Sequence, residues 1–387
     1  MLFNSSTLRG GKALLSTLAA ACLLLPALAA ATTYPLTITD MDNRKVTIEK
    51  EPQRIILQDG RDILALALLD RDDPFHRVVA WNNLPKKQDS GTWNLLRGKW
   101  PEAEKILDMG FSDQGNIELE SVIARQPDLM IAQLRAKPSL TQLGAIAKLE
   151  KLHIPVIFVD YELHPLQNTM PSITLLGKVL NQEQHAKEYT DYYAQHLAEM
   201  QKATAAVNPK PRVFIEPIAG VGGADDACCF THSHNGWGGL VEATGAVNIG
   251  SGLLPGATGY IPVEKVISEK PDFYLMTGSK RGGKTNSVIP FGYGANLADV
   301  TSQFDTLLSR TGIKQIPAVQ AGHVAGLYHH FYNHPYNIIG MEILSKTFYP
   351  TQLSKLDPDH DYHEIITRFT HLPDDSIILS YHPGQTH

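Results

Sequence analysis

The chain has 387 residues and a formal net charge of −6 at neutral pH, with 19% charged residues. A mildly acidic chain without basic tracts gives no reason to expect a nucleic-acid partner. Its length exceeds that of one ordinary hydrophobic core, so we expect two domains.

The first 31 residues predict a secretory signal peptide. Arg9 and Lys12 precede an apolar stretch at 13–26, and small residues continue to Ala31. A lipoprotein would be acylated at Cys22, but the residues before it lack the usual leucine and the apolar stretch continues past it. We therefore predict cleavage after Ala31 and a periplasmic protein.

The mature chain begins with a predicted hairpin, at 36–39 and 45–48. After it, short apolar runs alternate with amphipathic helices such as 62–69 and 140–152. This alternation is typical of a parallel α/β sheet. The predicted strands of the first half are 54–57, 77–81, 128–132 and 155–159.

The second half repeats this scheme, with predicted strands at 212–215, 272–276 and 324–327. Between the halves lies the least interrupted helical stretch, 182–207, which ends before Pro209. At 1.5 Å per residue such a helix is about 40 Å long, enough to run along two lobes.

An internal repeat supports two lobes. Glu120 stands seven residues before Pro127, and Glu264 stands seven residues before Pro271. In both places a helix carrying Val-Ile ends at the Pro-Asp pair, and a strand follows. The common offset indicates one structural unit used twice.

In combination these features resemble the class III periplasmic binding proteins, which bind ferric siderophores, haem and vitamin B12. The matching stretches are the hairpin and first strand (37–57), the two Glu…Pro-Asp units, the long helix, the Gly-rich segment 236–248 and a closing helix (334–350). The resemblance implies an α/β fold with two Rossmann-like lobes and a ligand cleft between them, joined by one long bridging helix.

Domain boundaries follow from the resemblance. We predict an N-terminal lobe (32–165), a bridging helical segment (166–207), a C-terminal lobe (208–350) and a C-terminal extension packing on the lobes (351–387). That extension and the segment 82–104, hereafter the insert, depart from the usual family pattern.

The function implied by the resemblance is that of a receptor and not of an enzyme. The chain is expected to be a monomeric solute-binding component of an ABC importer, without a cofactor of its own. It would capture a ferric siderophore, an Fe(III) chelate, and deliver it to the inner-membrane permease and its ATPase. By position, Glu120 and Glu264 correspond to the glutamates that dock on the permease.

Candidate ligand contacts follow the strands, because ligands of open α/β sheets bind beyond the carboxyl ends of the strands. Arginine suits an anionic catecholate or carboxylate, and aromatic side chains suit the flat body of a chelate. The predicted contacts are Arg61, Trp81, Arg135, Tyr161, Trp237, Lys280, Arg281, Tyr328, His329, His330 and Tyr332.

The segment from Cys228 to His234 carries two adjacent cysteines and two histidines. Their spacing matches no ordinary zinc pattern. Export to an oxidising compartment favours a disulfide between Cys228 and Cys229. The alternatives are inert thiols, or thiolate ligands in a metal-ion binding protein or metallo-enzyme. A haem or corrinoid ligand is a further alternative.

We expect one match to a phosphate-loop motif to be accidental. Residues 278–285 fit the phosphate-loop pattern G-x-x-x-x-G-K-[ST]. A phosphate loop must open a helix, whereas Pro290, Gly292 and Gly294 follow here. The sequence also lacks the hydrolase motifs G-x-S-x-G and H-E-x-x-H.

Overall fold

The computed structural model describes residues 32–110, 119–221, 228–281 and 288–384. The predicted signal peptide, including Cys22, and residues 282–285 of the phosphate-loop-like segment lie outside the described residues. Among the helices that are described, none is both long and apolar enough to cross a membrane.

The first lobe contains the predicted hairpin and a five-stranded parallel sheet. The hairpin pairs β1 (Leu36–Thr39) with β2 (Lys45–Ile48). The sheet strands are β3 (Ile55–Leu57), β4 (Val78–Trp81), β5 (Leu107–Asp108), β6 (Leu129–Gln133) and β7 (Val156–Val159), in the order β5-β4-β3-β6-β7. Strands β6 and β7 are buried at every position, as expected for parallel strands covered on both faces.

Among the described residues of the first lobe, six helices accompany this sheet and two more lead to the second lobe. The six are α1 (Ile63–Leu69), α2 (Leu84–Gln88), α3 (Ser90–Lys99), α4 (Leu119–Ile123), α5 (Lys137–Gln142) and α6 (Ala145–Lys151). They are followed by α7 (Pro165–Val179) and the long helix α8 (Glu183–Thr204). With 22 residues, α8 is about 33 Å long and is the bridging helix that the sequence predicted.

The second lobe repeats the design with another five-stranded sheet, in the order β10-β8-β12-β14-β16. Its last strand is antiparallel to its neighbour and the other four are parallel. The strands of this lobe are β8 (Arg212–Glu216), β9 (Phe230–His232), β10 (Val247–Asn248), β11 (Thr258–Tyr260), β12 (Phe273–Gly278), β13 (Gly292–Tyr293), β14 (Val324–Tyr328), β15 (Ile377–Ile378) and β16 (Ser380–Tyr381).

The helices of this lobe are α9 (Gly236–Ala243), α10 (Ile249–Leu253), α11 (Val263–Glu269), α12 (Leu297–Leu308), α13 (Pro317–Gln320), α14 (Asn337–Phe348) and α15 (Pro358–Glu364). The C-terminal residues extend the lobe, since β15 pairs with β13 and β16 pairs with β14. Two further hydrogen bonds fix α15: the hydroxyl of Tyr362 lies 2.9 Å from that of Tyr293, and Tyr192 on α8 donates to the Asp361 carbonyl at 3.2 Å.

The internal repeat is visible as one hydrogen-bonded pair in each lobe. Asp128 donates its N–H to the Arg54 carbonyl, and its carboxylate accepts from the Arg54 N–H at 2.8 Å. Asp272 makes the same two bonds with Arg212, again with 2.8 Å to the N–H. The aspartate of each Pro-Asp pair therefore fixes the start of the neighbouring strand.

Candidate ligand-binding site

The first-lobe side of the cleft begins with a tight turn after β3. Asp59 caps a 3-10 turn over Gly60–Asp62 and accepts the N–H of Arg61 at 3.0 Å. The turn packs so closely on the residue after β4 that a Cβ on Gly60 would lie 2.2 Å from the Asn82 carbonyl oxygen. Because β3 lies between β4 and β6, this turn occupies the switch point of the sheet, where ligands of such sheets bind.

A buried carboxylate holds two predicted contact residues. Asp59 accepts hydrogen bonds from Arg61 Nε at 2.8 Å and from Arg135 at 2.6 Å. Arg135 Nε also lies 3.0 Å from Glu162 Oε2, on the loop after β7. Burial opposes the charge on Asp59, but the two guanidinium groups outweigh it and hold the pKa of Asp59 below its ordinary value. Both arginines therefore carry internal counter-charges.

Two further buried polar side chains, Asp62 and Tyr161, favour their uncharged forms. Asp62 accepts a hydrogen bond from Gln133 Nε2. Burial and the adjacent charge of Asp59 raise the pKa of Asp62 well above its ordinary value, which favours a neutral carboxylic acid. The Tyr161 hydroxyl is buried and has no hydrogen-bond partner among the described residues, and burial likewise raises its pKa.

Three histidines and a tyrosine form the second-lobe side. His329 and His330 follow β14, and His232 ends β9; all three are buried. Tyr332, which is partly exposed, lies among them, with its ring centroid 4.7 Å from that of His329 and 5.4 Å from that of His232. The ring centroids of His329 and His330 are 5.2 Å apart.

These histidines are electrically neutral at physiological pH. Burial lowers the pKa of His232 to about 3. Burial, with the positive charges of nearby residues that include Arg281 and Arg61, also lowers the pKa values of His329 and His330. A neutral imidazole presents one nitrogen lone pair, so each ring can accept a hydrogen bond or bind a metal.

The two sides contact each other across the cleft. Asn333 is oriented with its amide oxygen towards Arg61 of the first lobe and towards the Tyr332 hydroxyl, at 3.0 Å. Its amide nitrogen donates to the His330 carbonyl at 2.9 Å. Elsewhere the Gly236 N–H, at the start of α9, donates to the Glu162 carbonyl at 2.7 Å.

The insert connects the first lobe to the second beside this site. It forms α2 and α3, and the N–H of Ser90 donates to the Lys280 carbonyl of the second lobe at 2.8 Å. Ser279 donates its hydroxyl to the Gln88 carbonyl at 2.8 Å, and the hydroxyl of Tyr328 donates to Asp89. The insert, which departs from the usual family pattern, therefore supplies contacts between the lobes.

The structure brings Arg61, Arg135, His329, His330 and Tyr332 together. Arg281 joins them, since its charge acts on the pKa values of both histidines.

The remaining predicted contacts support this group or lie away from it. Trp237 is fully buried and donates its indole N–H to the His329 carbonyl at 3.0 Å. Trp81 is fully buried too, with ring centroids 5.5 Å from Phe75 and 5.7 Å from Trp93, so it packs in the core. Lys280 is exposed and donates to the Gly294 carbonyl at 2.9 Å.

Sequence reasoning missed Glu162, Asn333 and Asp89 as members of the cleft. Glu162 and Asn333 each follow a strand of a parallel sheet. The expectation that ligand contacts lie beyond the carboxyl ends of strands, which selected the arginines, therefore applies to them as well. Asp89 lies inside the insert, and no pattern in the sequence indicates that the insert reaches the second lobe.

Cys228 and Cys229 are joined by a disulfide bond next to the pairing of β9 with β11. The Cys229 N–H donates to the Ile261 carbonyl at 2.7 Å. The carboxylate of Glu216 lies near both sulfurs, but Arg310 binds it with two hydrogen bonds of 2.8 and 2.7 Å. A disulfide offers no thiolate to a metal.

Glu120 and Glu264 occupy equivalent positions outside the cleft. Each lies in the first turn of a helix, α4 or α11, and each side chain is exposed.

Comparison with known proteins identifies the class. The profile of the family described as periplasmic binding proteins matches residues 62–329, more than half of the chain. The chain therefore belongs to the periplasmic binding protein family, and the resemblance found in the sequence is confirmed.

One curated relative is YvrC of Bacillus subtilis (strain 168), described as an uncharacterized ABC transporter substrate-binding lipoprotein. It is 25% identical over 185 residues, which cover 47% of this chain. The match extends over 52% of the relative, so the chain spans about half the length of that curated protein.

Solved structures confirm the two-lobed α/β fold. The TroA-like protein FepB from Veillonella parvula has a TM-score of 0.79 at 24% identity, covering 90% of this chain and 99% of its own. Molybdate-bound MolA from Haemophilus influenzae has a TM-score of 0.66 at 19% identity (89% and 100%). CeuE from Helicobacter pylori, in a Ni-His complex, has a TM-score of 0.62 at 14% identity (88% and 96%).

Proposed function

We propose that this chain is the extracytoplasmic substrate-binding protein of an ABC importer and that it captures a ferric siderophore or a similar iron chelate. Its family, the description of its relative as an ABC transporter substrate-binding protein and the predicted signal peptide support this assignment. The chain delivers its ligand as a monomer to an inner-membrane permease, which is driven by an ATPase.

The observation that carries the proposal is the pairing of Arg135 with two carboxylates at the switch point of the first sheet. The side chains of Arg135 and Glu162 are 15% and 14% exposed, whereas that of Asp59 is 2% exposed. An incoming ligand oxygen can therefore replace Glu162 while Asp59 continues to position the guanidinium group. Catecholate and carboxylate oxygens of a siderophore suit this exchange, because they accept two parallel hydrogen bonds from arginine.

The opposite wall suits the body of a chelate. Tyr332 presents a partly exposed ring beside His329 and His232, and uncharged rings favour contact with flat, partly apolar groups. Arg61 is more enclosed, with a side chain 6% exposed and held by Asp59 and Asn333. We assign it to shaping the cleft floor, and Arg135 to contacting the ligand directly.

The neutral histidines favour a second candidate, capture of a metal ion by protein ligands. His232, His329 and His330 are each buried and unprotonated, which is the state that binds transition metals, but among the described residues their ring nitrogens do not form a set within 4.8 Å of one another. This candidate requires at least three ligand atoms converging on one ion, whereas the chelate brings its own ligands.

Native mass spectrometry of protein isolated from its own periplasm tests the proposal. A retained Fe(III) chelate adds the mass of the chelator plus iron, and a captured ion adds the metal mass alone. Titration of ligand-free protein with a ferric tris-catecholate, a ferric hydroxamate, haem and a corrinoid then ranks the classes. Saturable one-to-one binding of a ferric siderophore supports the proposal. Binding of a bare ion, haem or a corrinoid in preference to both siderophores overturns it.

A further inference from the structure

A second group of ionisable side chains lies outside the cleft, where three helices meet. It consists of His196 on α8, Glu342 on α14 and Asp361 on α15, hereafter the His–Glu–Asp cluster. One nitrogen of the histidine and one oxygen of each acid lie within 4.8 Å of one another. The Nδ1 atom of His196 is 2.6 Å from Glu342 Oε1 and 3.8 Å from Asp361 Oδ2.

Glu342 is the unusual member because its side chain is fully buried. Its Oε2 atom has no hydrogen-bond partner among the described residues. A carboxylate oxygen of Asp361 lies within 4.8 Å of a Glu342 oxygen, on the partly exposed side of the cluster. A fully buried carboxylate next to a second carboxylate needs a shared proton or a cation between them.

The surroundings of the cluster hold its members in place. The Tyr192 ring lies against the His196 imidazole, with centroids 4.0 Å apart, and the Tyr192 hydroxyl donates to the Asp361 carbonyl at 3.2 Å. The side chains of His196 and Asp361 are 16% and 12% exposed, so an ion can enter from their side. Ligands of a tetrahedral zinc ion stand about 3.3 Å apart, between the two distances that separate His196 from the acids.

We propose that His196, Glu342 and Asp361 bind a divalent transition-metal cation of the zinc class, which fastens the C-terminal extension to the bridging helix and to the closing helix α14. An imidazole and two carboxylates are ligands that Zn²⁺ accepts, with water completing the coordination. Mg²⁺ and Ca²⁺ prefer sites made of oxygen ligands alone. This site does not depend on what the cleft binds.

A neighbouring set of side chains provides a control for the position of the bound cation. His360 and Glu364 lie beside Asp361 on the outer face of α15 and form a second set with it, in which His360 is exposed. A cation bound by the outer set requires His360, whereas a cation bound by the His–Glu–Asp cluster requires His196.

The test uses full-length mature protein freed of metal with a chelator and titrated with Zn²⁺ by calorimetry. We expect His196→Gln and Asp361→Asn each to lose one equivalent of zinc, while His360→Gln keeps it. A His329→Gln variant accounts separately for zinc bound in the cleft. At a zinc concentration about 100-fold above Kd, the Tm of the parent should rise by about 3 °C, and the rise should be absent from the first two variants.

Unchanged stoichiometry and an unchanged Tm response in His196→Gln overturn the proposal, as does a loss caused by His360→Gln alone. An equal response to Mg²⁺ also overturns it. If His196→Gln or Asp361→Asn lowers the Tm of the metal-free protein, Glu342→Gln serves as a further variant. It keeps the volume of the buried side chain and removes only the carboxylate.

Discussion

Arg135 donates a 2.6 Å hydrogen bond to Asp59, which follows a different strand of the first sheet. The bond joins the carboxyl ends of β3 and β6 at the floor of the cleft. It also places a guanidinium group at the switch point with its other edge towards Glu162, 3.0 Å away. One buried carboxylate thus positions the cation that we propose for ligand contact.

Substitution of Arg135 tests its contact with the ligand. Removing one partner of a partly desolvated charge pair costs about 2–5 kcal/mol, so Arg135→Ala should weaken binding of a ferric siderophore at least tenfold. Lys148→Ala, an exposed cation on α6, should bind like the parent. Titration by intrinsic fluorescence measures both.

An Arg135→Ala variant that binds like the parent would show that the ligand is neutral or lies elsewhere. The sequence interpretation gave Arg61 the same role. Because Arg61 is enclosed by Asp59 and Asn333, we expect Arg61→Ala to weaken binding as well, but with a lower Tm than Arg135→Ala.

The depressed pKa of Asp59 predicts how the stability of the protein depends on pH. A carboxyl group with a lower pKa in the folded state stabilises the fold above its unfolded pKa, about 3.9. This contribution is lost as the pH falls through the folded value. Asp59→Asn removes the buried counter-charge that Arg61 and Arg135 share, so we expect it to cost about 3 kcal/mol of unfolding free energy at pH 7.

Urea unfolding at pH 7 and again near pH 3 measures this effect. The difference between the parent and Asp59→Asn should shrink at the lower pH, because the Asp59 carboxylate of the unfolded chain becomes protonated below its pKa of about 3.9. Asp191→Asn is the control, because Asp191 pairs with Lys187 on the exposed face of α8 and should change stability by less than about 0.5 kcal/mol. A constant difference between pH 7 and pH 3 would contradict the charge-pairing explanation.

The fold was predictable because its signals are local and repeated. The Pro-Asp pairs stand where each helix ends, and the residues before the prolines, Gln126 and Lys270, have positive φ angles of 52° and 49°. Their aspartates bond to Arg54 and Arg212 in the same way. A chain that ends two helices identically and then begins a buried strand reveals its two lobes in the sequence.

The site was less predictable because its geometry depends on segments that are distant in sequence. The expectation that ligands bind beyond the carboxyl ends of strands selected both Arg135 and Trp81, since both stand at the carboxyl end of a strand. The structure separates them: the insert lays Trp93 against Trp81, and this packing places the indole in the core. The Glu162 partner of Arg135 likewise depends on how two loops meet, which local patterns do not encode.

Glu120 and Glu264 are predicted to dock on the permease. Both are exposed in the first turn of equivalent helices and neither belongs to the cleft. Reversing both to lysine should abolish transport in whole cells while ligand affinity stays within about twofold, or ~0.4 kcal/mol. Glu102→Lys, an exposed reversal within the insert, should transport normally. Transport that survives the double reversal, or a large loss of affinity, would contradict the docking role.

The adjacent cysteines separate a structural role from metal chemistry. The bond between Cys228 and Cys229 closes a minimal loop, so the entropic gain from cross-linking is small and we expect its effect to be local. A double serine variant should therefore melt close to the parent but bind ligand more weakly, because the segment leads into His232 and α9 on the cleft wall. Intact-mass measurement should show a gain of two hydrogens on reduction. If reduction changes nothing and a chelator instead alters thiol titration, the cysteines are thiolate ligands and the disulfide assignment is wrong.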